Sequence, residues 1–531
     1  MKRYFLNPFS ITLFLFIFQL NSLAQDGALD LTFGTDGIVL TDIGVIDEVR
    51  TLARQDDGKL VTGGFTGTIG AYSFLLIRYN EDGSLDETFG VDGVTTTSLG
   101  LGEASCNSIR IQEDGKIIVV GVYLLAEEGP SDIAMARYNS DGTLDVSFGT
   151  DGIVITNSED SEVWDGGMRV EIQADGKLLV MAFNYEDDLE FLLLRYNTDG
   201  TLDDTFGDEG IVAPIIGSYS DESEGLNILF DGDENILVVS SAFGMGESHV
   251  NFSIVKYDSD GDLDLTFGTD GQVLTNIMVT DGISSNDYGS DIAFQSDGKL
   301  VVGGMIYDEE GAFAVARYSA AGTLDESFGT DGVVFTEMPA WTECTSMLIQ
   351  SNDKIILLGH AAFEEYNEEF VMARYTANGV LDPTFGVDGL VKTDLSPSPD
   401  YAEDFLIINN EKILVTGTEG GDFGVHSRVA LAQYLIDYEL STVEYDVSEQ
   451  NMAIYPNPFN DFTTVHFDEV LTGNNTIVMY DLLGQQVYRT ENITGNELQI
   501  DRAQLQAGLY LLTFKEMDTT EKVFVSKLIV E

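Results

Sequence analysis

Four histidines and two cysteines are the residues of this 531-residue chain whose types most readily do chemistry. The histidines, His249, His360, His426 and His466, lie far apart, and none falls in an H-E-x-x-H or Cys/His spacing that would hold a metal ion. There is no G-x-S-x-G nucleophile motif, and the Phe-Gly-x-Asp-Gly strings sit in turns between strands rather than before a phosphate-binding helix. The sequence therefore predicts no catalytic, cofactor-binding or metal-binding residue.

Carboxylates are so numerous that they indicate no site by themselves. The chain has 91 acidic and 25 basic residues, a net charge of −66, and any two carboxylates in a funnel resemble a glycosidase pair. This charge repels phosphate backbones and anionic lipid, so we expect no nucleic-acid partner. The charge indicates a solvated surface, with cation binding as the alternative.

One aspartate recurs in the string Leu-Asp-x-Thr/Ser-Phe-Gly. It occupies Asp30, Asp86, Asp145, Asp203, Asp264, Asp325 and Asp382. We expect its side chain to cap a turn by accepting backbone N–H groups two or three residues on. The alternative is a calcium site that also uses Asp36, Asp92, Asp151, Asp270, Asp331 and Asp388, but no unit has the D-x-D-x-D run that calcium usually requires.

The elements that position these residues are seven repeats of about 59 residues, a period typical of a repeated supersecondary unit. Their phenylalanines are Phe33, Phe89, Phe148, Phe206, Phe267, Phe328 and Phe385. Asp-Gly turns separate alternating apolar runs, which is a strong hairpin signal. Four strands per unit leave no room for a helix, so the pattern predicts a four-stranded propeller blade and an all-β, seven-bladed β-propeller.

Ring closure has two possible forms at this stage. The first Phe-Gly strand precedes the first complete unit, and the last unit, ending near Ile436, has no Phe-Gly strand after it. Residues 27–42 would complete that last blade by strand exchange, whereas a different blade register needs no exchange.

The two cysteines provide a test of the predicted seven-bladed ring. Cys106 lies ten residues before Lys116, and Cys344 lies ten residues before Lys354, so they occupy equivalent positions in units two and six. Blades three steps apart in a ring are too distant for a disulfide, whose Cα atoms must lie within about 7 Å. The slot otherwise holds Val49, Gly167, Gly225, Gly289 and Ala402, so we predict buried free thiols in a small-residue slot.

Residues 26–437 resemble the delta-60 repeat family of bacterial exported proteins, on the Leu-Asp-x-Ser/Thr-Phe-Gly-x-Asp-Gly string repeated seven times. The resemblance implies a β repeat and supplies no activity. Export is also indicated by residues 1–24, where Lys2 and Arg3 precede the apolar run Ile11–Leu20 and Ala24 ends a cleavage site, as in a signal peptide. That run is too short to span a membrane, so we expect no transmembrane segment.

The repeat stops at residues 438–452, a polar stretch that we interpret as a linker. The remaining residues, 453–531, alternate in short apolar strands and predict a small Ig-like β-sandwich. They resemble the type A C-terminal sorting domain of the type IX secretion system of Bacteroidetes-type bacteria. The matching residues are Tyr455, Pro456, Asn457, Pro458, Asp481, Gly484, Gly508, Tyr510 and Lys527.

The sorting-domain resemblance implies Sec export, type IX machinery as a partner, and a mature protein that is secreted or attached to the outer-membrane surface. Our leading hypothesis is a non-enzymatic propeller that binds a glycan or a surface protein through loops that differ between units. The alternative is a secreted polysaccharide hydrolase or lyase with carboxylates in the propeller funnel. Candidate positions break the repeat: Glu222–Gly225, Thr280–Ser290, Trp341–Glu343 and the tryptophan Trp164. A cluster of non-repeated charged residues at one mouth would favour the enzyme.

Overall fold

The described residues are strands and turns, with no helix among them. The structure is a computed structural model that describes residues 26–100, 102–124, 130–157, 164–185, 189–212, 227–244, 249–277, 279–280, 283–307, 311–339, 342–364, 367–420, 426–436, 452–472, 475–480, 486–502, 505, 508–516 and 523–530. The chain divides into two compact units, Met1–Asp437 and Tyr438–Glu531.

The described part of the first unit contains seven four-stranded antiparallel sheets, numbered here along the chain. Sheet 1 is Ile46–Arg54, Leu60–Thr68, Ala71–Tyr79 and Val94–Thr97, and sheet 2 is Glu103–Ile111, Ile117–Leu124, Ser131–Tyr138 and Ile153–Thr156. Sheet 3 is Trp164–Ile172, Leu178–Tyr185, Leu189–Tyr196 and Ile211–Val212, and sheet 4 is Asn227–Phe230, Ile236–Phe243, Val250–Tyr257 and Gln272–Thr275. A small hairpin, Val279–Thr280 with Ile283–Ser284, follows.

Sheet 5 is Asn286–Phe294, Leu300–Tyr307, Ala312–Tyr318 and Val333–Glu337, and sheet 6 is Thr342–Ile349, Ile355–Glu364, Asn367–Tyr375 and Leu390–Thr393. Sheet 7 combines Asp400–Ile408, Lys412–Glu419 and Arg428–Leu435 with the amino-terminal strand Ile38–Thr41. In sheets 1 to 6 the strands follow one another as a meander, and in four of these sheets an Asp-Gly turn joins the first strand to the second. At the turn before Ile38, Asp36 has φ 54° and Gly37 has φ 93°, conformations that few other residue types adopt readily.

Sheet 7 closes the set by strand exchange. Ile38 pairs with Ala432, and upstream the Gly27 N–H donates to the Leu435 carbonyl at 2.7 Å. The first strands of successive sheets contact one another from sheet 1 through sheet 7, and that of sheet 7 contacts that of sheet 1. The predicted exchange through residues 27–42 is confirmed, and the register without exchange is wrong.

The recurring aspartate caps its turn, as predicted, and also carries an ion-pair network that the sequence did not reveal. The Thr88 N–H donates to Asp86 Oδ1 at 3.1 Å, while Asp86 Oδ2 lies 2.7 Å from Arg78 Nε and 2.5 Å from Lys59 Nζ. The Arg78 guanidinium lies 4.6 Å from the centre of the Phe89 ring. Equivalent triads recur as Arg137–Asp145–Lys116, Arg195–Asp203–Lys177, Arg317–Asp325–Lys299 and Arg374–Asp382–Lys354.

Two sheets modify this triad. In sheet 4, Lys256 replaces the arginine and pairs with both Asp231 and Asp264. In sheet 7, Lys412 Nζ lies 2.6 Å from Asp30 Oδ2, so an aspartate at the start of the described chain completes the last sheet. In all seven sheets the recurring aspartate is therefore paired with a cation of the chain itself.

Both cysteines are free and buried, as predicted. Cys106 pairs with Gly121 and Cys344 with Gly359, at the same register position of sheets 2 and 6. Burial raises the pKa of Cys106 to about 12 and also raises that of Cys344. Neither thiol is therefore activated as a nucleophile.

The second unit contains two sheets. One comprises Met452–Tyr455, Phe462–Thr472 and Thr494–Asp501, and the other Gln486–Glu491, Asn475–Tyr480, Gly508–Glu516 and Val523–Val530. Side chains of both sheets share one buried core, with Val465 and Ile500 from the first packing with Ile477 and Leu512 from the second.

Candidate functional site

The first strand of six sheets carries a β-bulge at one shared position, between the small-residue slot and the residue two further on. The bulges lie at Val49/Thr51, Cys106/Ser108, Gly167/Arg169, Gly289/Asp291, Cys344/Ser346 and Ala402/Asp404. A bulge inserts an extra residue and redirects its side chain, which is why bulges often occur beside functional sites. The inserted residues are not repeated: Arg50, Asn107, Met168, Ser290, Thr345 and Glu403.

Several of the residues that follow these bulges accept a backbone hydrogen bond from a neighbouring sheet. Leu52 N–H donates to Asp404 Oδ2 at 2.8 Å, and Met347 N–H donates to Asp291 Oδ2 at 2.8 Å. Thr51 accepts the N–H of Ile109 in the same way at 3.3 Å. Burial raises the pKa of both Asp291 and Asp404, which these hydrogen bonds partly offset. These aspartates are therefore structural links between sheets.

A second group of charges lies on sheets 6, 7 and 1 and has no such repeated role. We call it the His360 cluster, and it consists of Glu48, Arg50, Glu343, His360, Glu368, Tyr401 and Glu403. His360 Nε2 lies 3.2 Å from Glu343 Oε2 and 3.3 Å from Glu368 Oε2. The Tyr401 ring approaches His360 edge-on at 5.1 Å. A histidine side chain between two carboxylates is held as the imidazolium.

The second ring nitrogen of His360 is unsatisfied. His360 is 6% exposed, and its Nδ1 has no hydrogen-bond partner within the described part of the chain. Burial lowers the pKa of His360, but the Glu343 and Glu368 carboxylates outweigh it and raise that pKa to about 9. Because the imidazolium carries a hydrogen on both nitrogens, Nδ1–H is a buried donor without an acceptor.

Glu403 is the carboxyl most affected by its surroundings. Burial, and then the negative charges of Glu343 and Glu48, raise the pKa of Glu403 to about 8, although Arg50 and His360 act in the opposite direction. Burial also raises the pKa of Glu48. By contrast, His360 lowers the pKa of Glu343 despite its burial. At neutral pH the cluster therefore contains an ionised Glu343 and a protonated Glu403.

His360 breaks the repeat at one position of the second strand. This is the residue that pairs with the first-strand residue just before the small-residue slot. That pairing residue is Phe65, Val122, Phe183, Met305 and Thr418 in sheets 1, 2, 3, 5 and 7, and His360 in sheet 6. The sequence motifs missed His360, but alignment of the seven units would have shown a titratable residue among apolar and small ones. The predicted candidate stretch Trp341–Glu343 does contribute Glu343 to the cluster.

Of the other predicted positions, Glu222–Gly225 and Trp341 lie outside the described residues, and within Thr280–Ser290 the described part includes the short hairpin. Trp164 starts the first strand of sheet 3 and is 40% exposed. His426 Nε2 lies 3.3 Å from Asp42 Oδ2. No group of three or more His, Cys, Asp or Glu suited to a metal ion occurs in the described ranges.

The sorting-motif residues lie in the second unit. Asn457 Oδ1 accepts the Ile529 N–H at 2.8 Å, and the Pro456 carbonyl accepts the Thr463 hydroxyl at 2.7 Å. The ring of Tyr455, which is exposed, stacks on that of His466 at 4.2 Å.

Pro458 follows in the same bend as Asn457, and Gly508 begins the strand in which Tyr510 is buried. Lys527 pairs with Leu511, while Asp481 and Gly484 lie outside the described residues.

Two family models match separate parts of the chain. Residues 453–531 match the secretion system C-terminal sorting domain. Residues 55–89, 112–148, 173–206, 295–328 and 350–385 match a domain of unknown function described as a β-propeller (DUF5122). The chain thus combines β-propeller repeats with a type IX sorting domain, which implies export to the cell surface or the medium.

Solved structures resemble the fold at low identity. A polysaccharide lyase, Uly1, is 11% identical with a TM-score of 0.42, over 79% of this chain and 94% of that chain. An ulvan lyase of family PL25 is 10% identical with a TM-score of 0.42, over 76% of this chain and 97% of that chain. The β-propeller domain of the Trilobed protease from Pyrococcus furiosus is 11% identical with a TM-score of 0.37, over 76% and 98%. Such scores carry no argument about activity.

No curated protein matches the sequence. Within the described ranges there is no helix long and apolar enough to cross a membrane.

Proposed function

We propose that this chain is a non-enzymatic binding protein, secreted or attached to the cell surface, whose propeller presents the His360 cluster to a glycan or a surface protein. The seven sheets form one closed seven-bladed ring, residues 26–437. Residues 1–24 form a signal peptide and residues 438–452 form a linker. Residues 453–531 form an Ig-like sandwich that the type IX machinery recognises through the motif from Tyr455 to Lys527.

The carrying observation is the state of His360. Its imidazole is held between Glu343 and Glu368, and its pKa of about 9 keeps it protonated at neutral pH. A protonated imidazole cannot accept a proton, so His360 is a poor general base. It is instead a fixed positive charge that holds Glu343 and Glu368 in place.

The chain without its predicted signal peptide, residues 25–531, tests this proposal in two assays. We expect specific binding on a panel of glycans and surface proteins, and no product release from any polysaccharide in a parallel degradation screen. Turnover of a polysaccharide that is lost in Glu343→Gln would reject the non-enzymatic function.

A polysaccharide hydrolase is the second candidate, and one observation favours it. Glu343 and Glu403 have pKa values displaced in opposite directions within one cluster. Such divergence is typical of carboxyl pairs in which one is a general acid and the other a nucleophile or base. In this case Glu403→Gln and Glu343→Gln would each abolish turnover while leaving substrate binding measurable.

Export is tested separately. In a host with a type IX system, we expect the full chain to reach the surface or medium, and a chain ending at residue 452 to remain in the periplasm. Surface delivery of the truncated chain would contradict the role proposed for residues 453–531.

A further inference from the structure

The three-stranded sheet of the second unit has one buried face and one exposed face. In its middle strand, Val465 and Phe467 pack into the core. Successive residues of a strand point to opposite sides of the sheet, so the residues that alternate with these two point away from the core. Together with the residues paired to them, they form a surface that we call the outward face: Ala453, Tyr455, Phe462, Thr464, His466, Glu497, Gln499 and Asp501.

Two aromatic side chains of the outward face lie largely in solvent. Tyr455 is 55% exposed and Phe462 is 47% exposed, the highest values for any Phe, Tyr or Trp among the described residues. The Tyr455 ring stacks on the His466 imidazole at 4.2 Å with the ring planes 8° apart, and His466 Nδ1 lies 3.1 Å from Glu497 Oε1. These contacts orient the tyrosine without burying it. Aromatic side chains that are already fixed before binding provide much of the affinity of protein interfaces.

The motif residues next to Tyr455 have a different role. Asn457 Oδ1 accepts the Ile529 N–H, and the Pro456 carbonyl accepts the Thr463 hydroxyl. These groups are therefore committed to contacts within the sandwich. Tyr455 instead presents its ring to solvent, so packing does not explain its part in the motif.

A sorting domain acts by being bound by the export machinery, so one surface of residues 453–531 must be recognised. We propose that this surface is the outward face, with Tyr455 and Phe462 inserted into the partner, a statement that rests on the sorting role proposed for residues 453–531. A group of exposed aromatic residues on one face is typical of a protein-binding surface. A sheet face that served folding alone would be covered by polar residues where it meets solvent.

The charges of the outward face define its partner further. Glu497 is exposed beside His466, and Asp501 is exposed opposite Phe462, so carboxylates border the aromatic residues. The complementary surface is an apolar groove on a protein of the export machinery, with lysine or arginine side chains at its edge. A second copy of this chain is disfavoured as the partner, because two identical acidic borders would repel each other.

Export of the full chain in a host with a type IX system tests the inference. We expect Tyr455→Ala and Phe462→Ala each to lower the amount at the surface and in the medium about tenfold, with folded chain retained in the periplasm. The matched controls are Tyr307→Ala and Phe335→Ala, which remove aromatic side chains that are each 44% exposed on sheet 5 and should leave export unchanged. Tyr455→Phe keeps the stacked ring and should be exported normally.

Glu497→Lys tests the acidic border without removing an aromatic ring. It reverses the charge of an exposed side chain, so we expect reduced export with a nearly unchanged melting temperature. Glu113→Lys makes the same charge change on an exposed turn of sheet 2 and should leave export unchanged. Thermal unfolding of residues 25–531 shows whether each variant is folded, and if an alanine variant is not, normal export of Glu497→Lys overturns the inference.

Normal export of both folded alanine variants would overturn the outward face as the recognition surface. If the chain that ends at residue 452 is then still retained in the periplasm, the sorting role of residues 453–531 survives that result. Surface delivery of the truncated chain would instead reject the sorting role itself. Light scattering of the purified chain tests the other occupant, and a dimer that dissociates in Phe462→Ala while export is unchanged would assign the face to contact between copies.

Discussion

The recurring triads and the His360 cluster are built from similar charged residues. In the triads the cations outnumber the carboxylates, whereas in the cluster the carboxyl groups outnumber the cations. In the triad of sheet 1, Asp86 is matched by Arg78 and Lys59, and the pKa of its carboxyl falls despite partial burial because these cations and Thr88 bind it. In the cluster, burial and then the negative charges of Glu343 and Glu48 raise the pKa of Glu403 to about 8. Ion pairs that recur in most sheets belong to the fold, whereas a group of perturbed carboxyls that occurs once is a candidate for a functional site.

The largest effect is expected from removal of the closing strand. A chain that begins at residue 42 lacks Ile38–Thr41 and Asp30, so sheet 7 loses its fourth strand and Lys412 loses its partner. An open sheet edge would then be exposed to other chains. We expect aggregation or loss of the cooperative unfolding transition in calorimetry. A chain that begins at residue 26 is the control, and equal cooperativity of the two would show that the exchange is dispensable.

The next effect compares two cations of one triad. Arg374 is fully buried, pairs with Asp382 and Asp26, and lies 4.6 Å from the Phe385 ring centre, whereas Lys354 is partly exposed. Removing one partner of a buried pair costs about 3–5 kcal/mol, so we expect Arg374→Ala to lower the free energy of unfolding by this amount. Lys354→Gln should cost about 1 kcal/mol or less. Denaturant titration measures the free energy of unfolding of both variants. Equal losses would contradict the prediction that the buried arginine contributes more to stability than the partly exposed lysine.

The pH dependence of stability separates the cluster from the triads. Glu403 and His360 bind protons more tightly in the folded chain, with pKa values of about 8 and about 9, than in the unfolded chain. Folded-state stability from Glu403 is therefore lost as pH rises from about 4.5 to 8, and that from His360 between about 6.5 and 9. We expect the melting temperature to fall between pH 6.5 and 8, with a smaller fall in Glu403→Gln. An identical pH profile in the variant would remove Glu403 as a contributor.

The smallest effect concerns the two thiols. Both are buried and have raised pKa values, so iodoacetamide should label neither Cys106 nor Cys344 in the folded chain. Both should react after denaturation without prior reduction. Mass spectrometry counts the adducts, and a requirement for reductant would reveal a disulfide.

The fold was predictable because its signals are local. The Asp-Gly turns and the cap formed by Asp86 on Thr88 depend on residues at most a few positions apart, which a sequence shows directly. The ion pairs of that aspartate were missed because Arg78 lies eight residues earlier and Lys59 comes from another turn.

The sequence did not reveal the His360 cluster either, because its residues lie even farther apart along the chain. His360 meets Glu343 across two antiparallel strands, and Glu403 comes from the next sheet. Only the register of the sheets brings these residues together, and no short motif records it.

The central claim is that the triads hold the ring together and the His360 cluster binds the ligand. Lys116→Gln in a triad and Glu343→Gln in the cluster, each assayed for affinity towards a ligand found on the panel of glycans and surface proteins, test it most directly. The account predicts unchanged affinity for Lys116→Gln, which removes one partly exposed cation, and at least tenfold weaker binding for Glu343→Gln, whose melting temperature also falls because the buried His360 loses a partner. Weaker binding by Lys116→Gln together with unchanged binding by Glu343→Gln would contradict it.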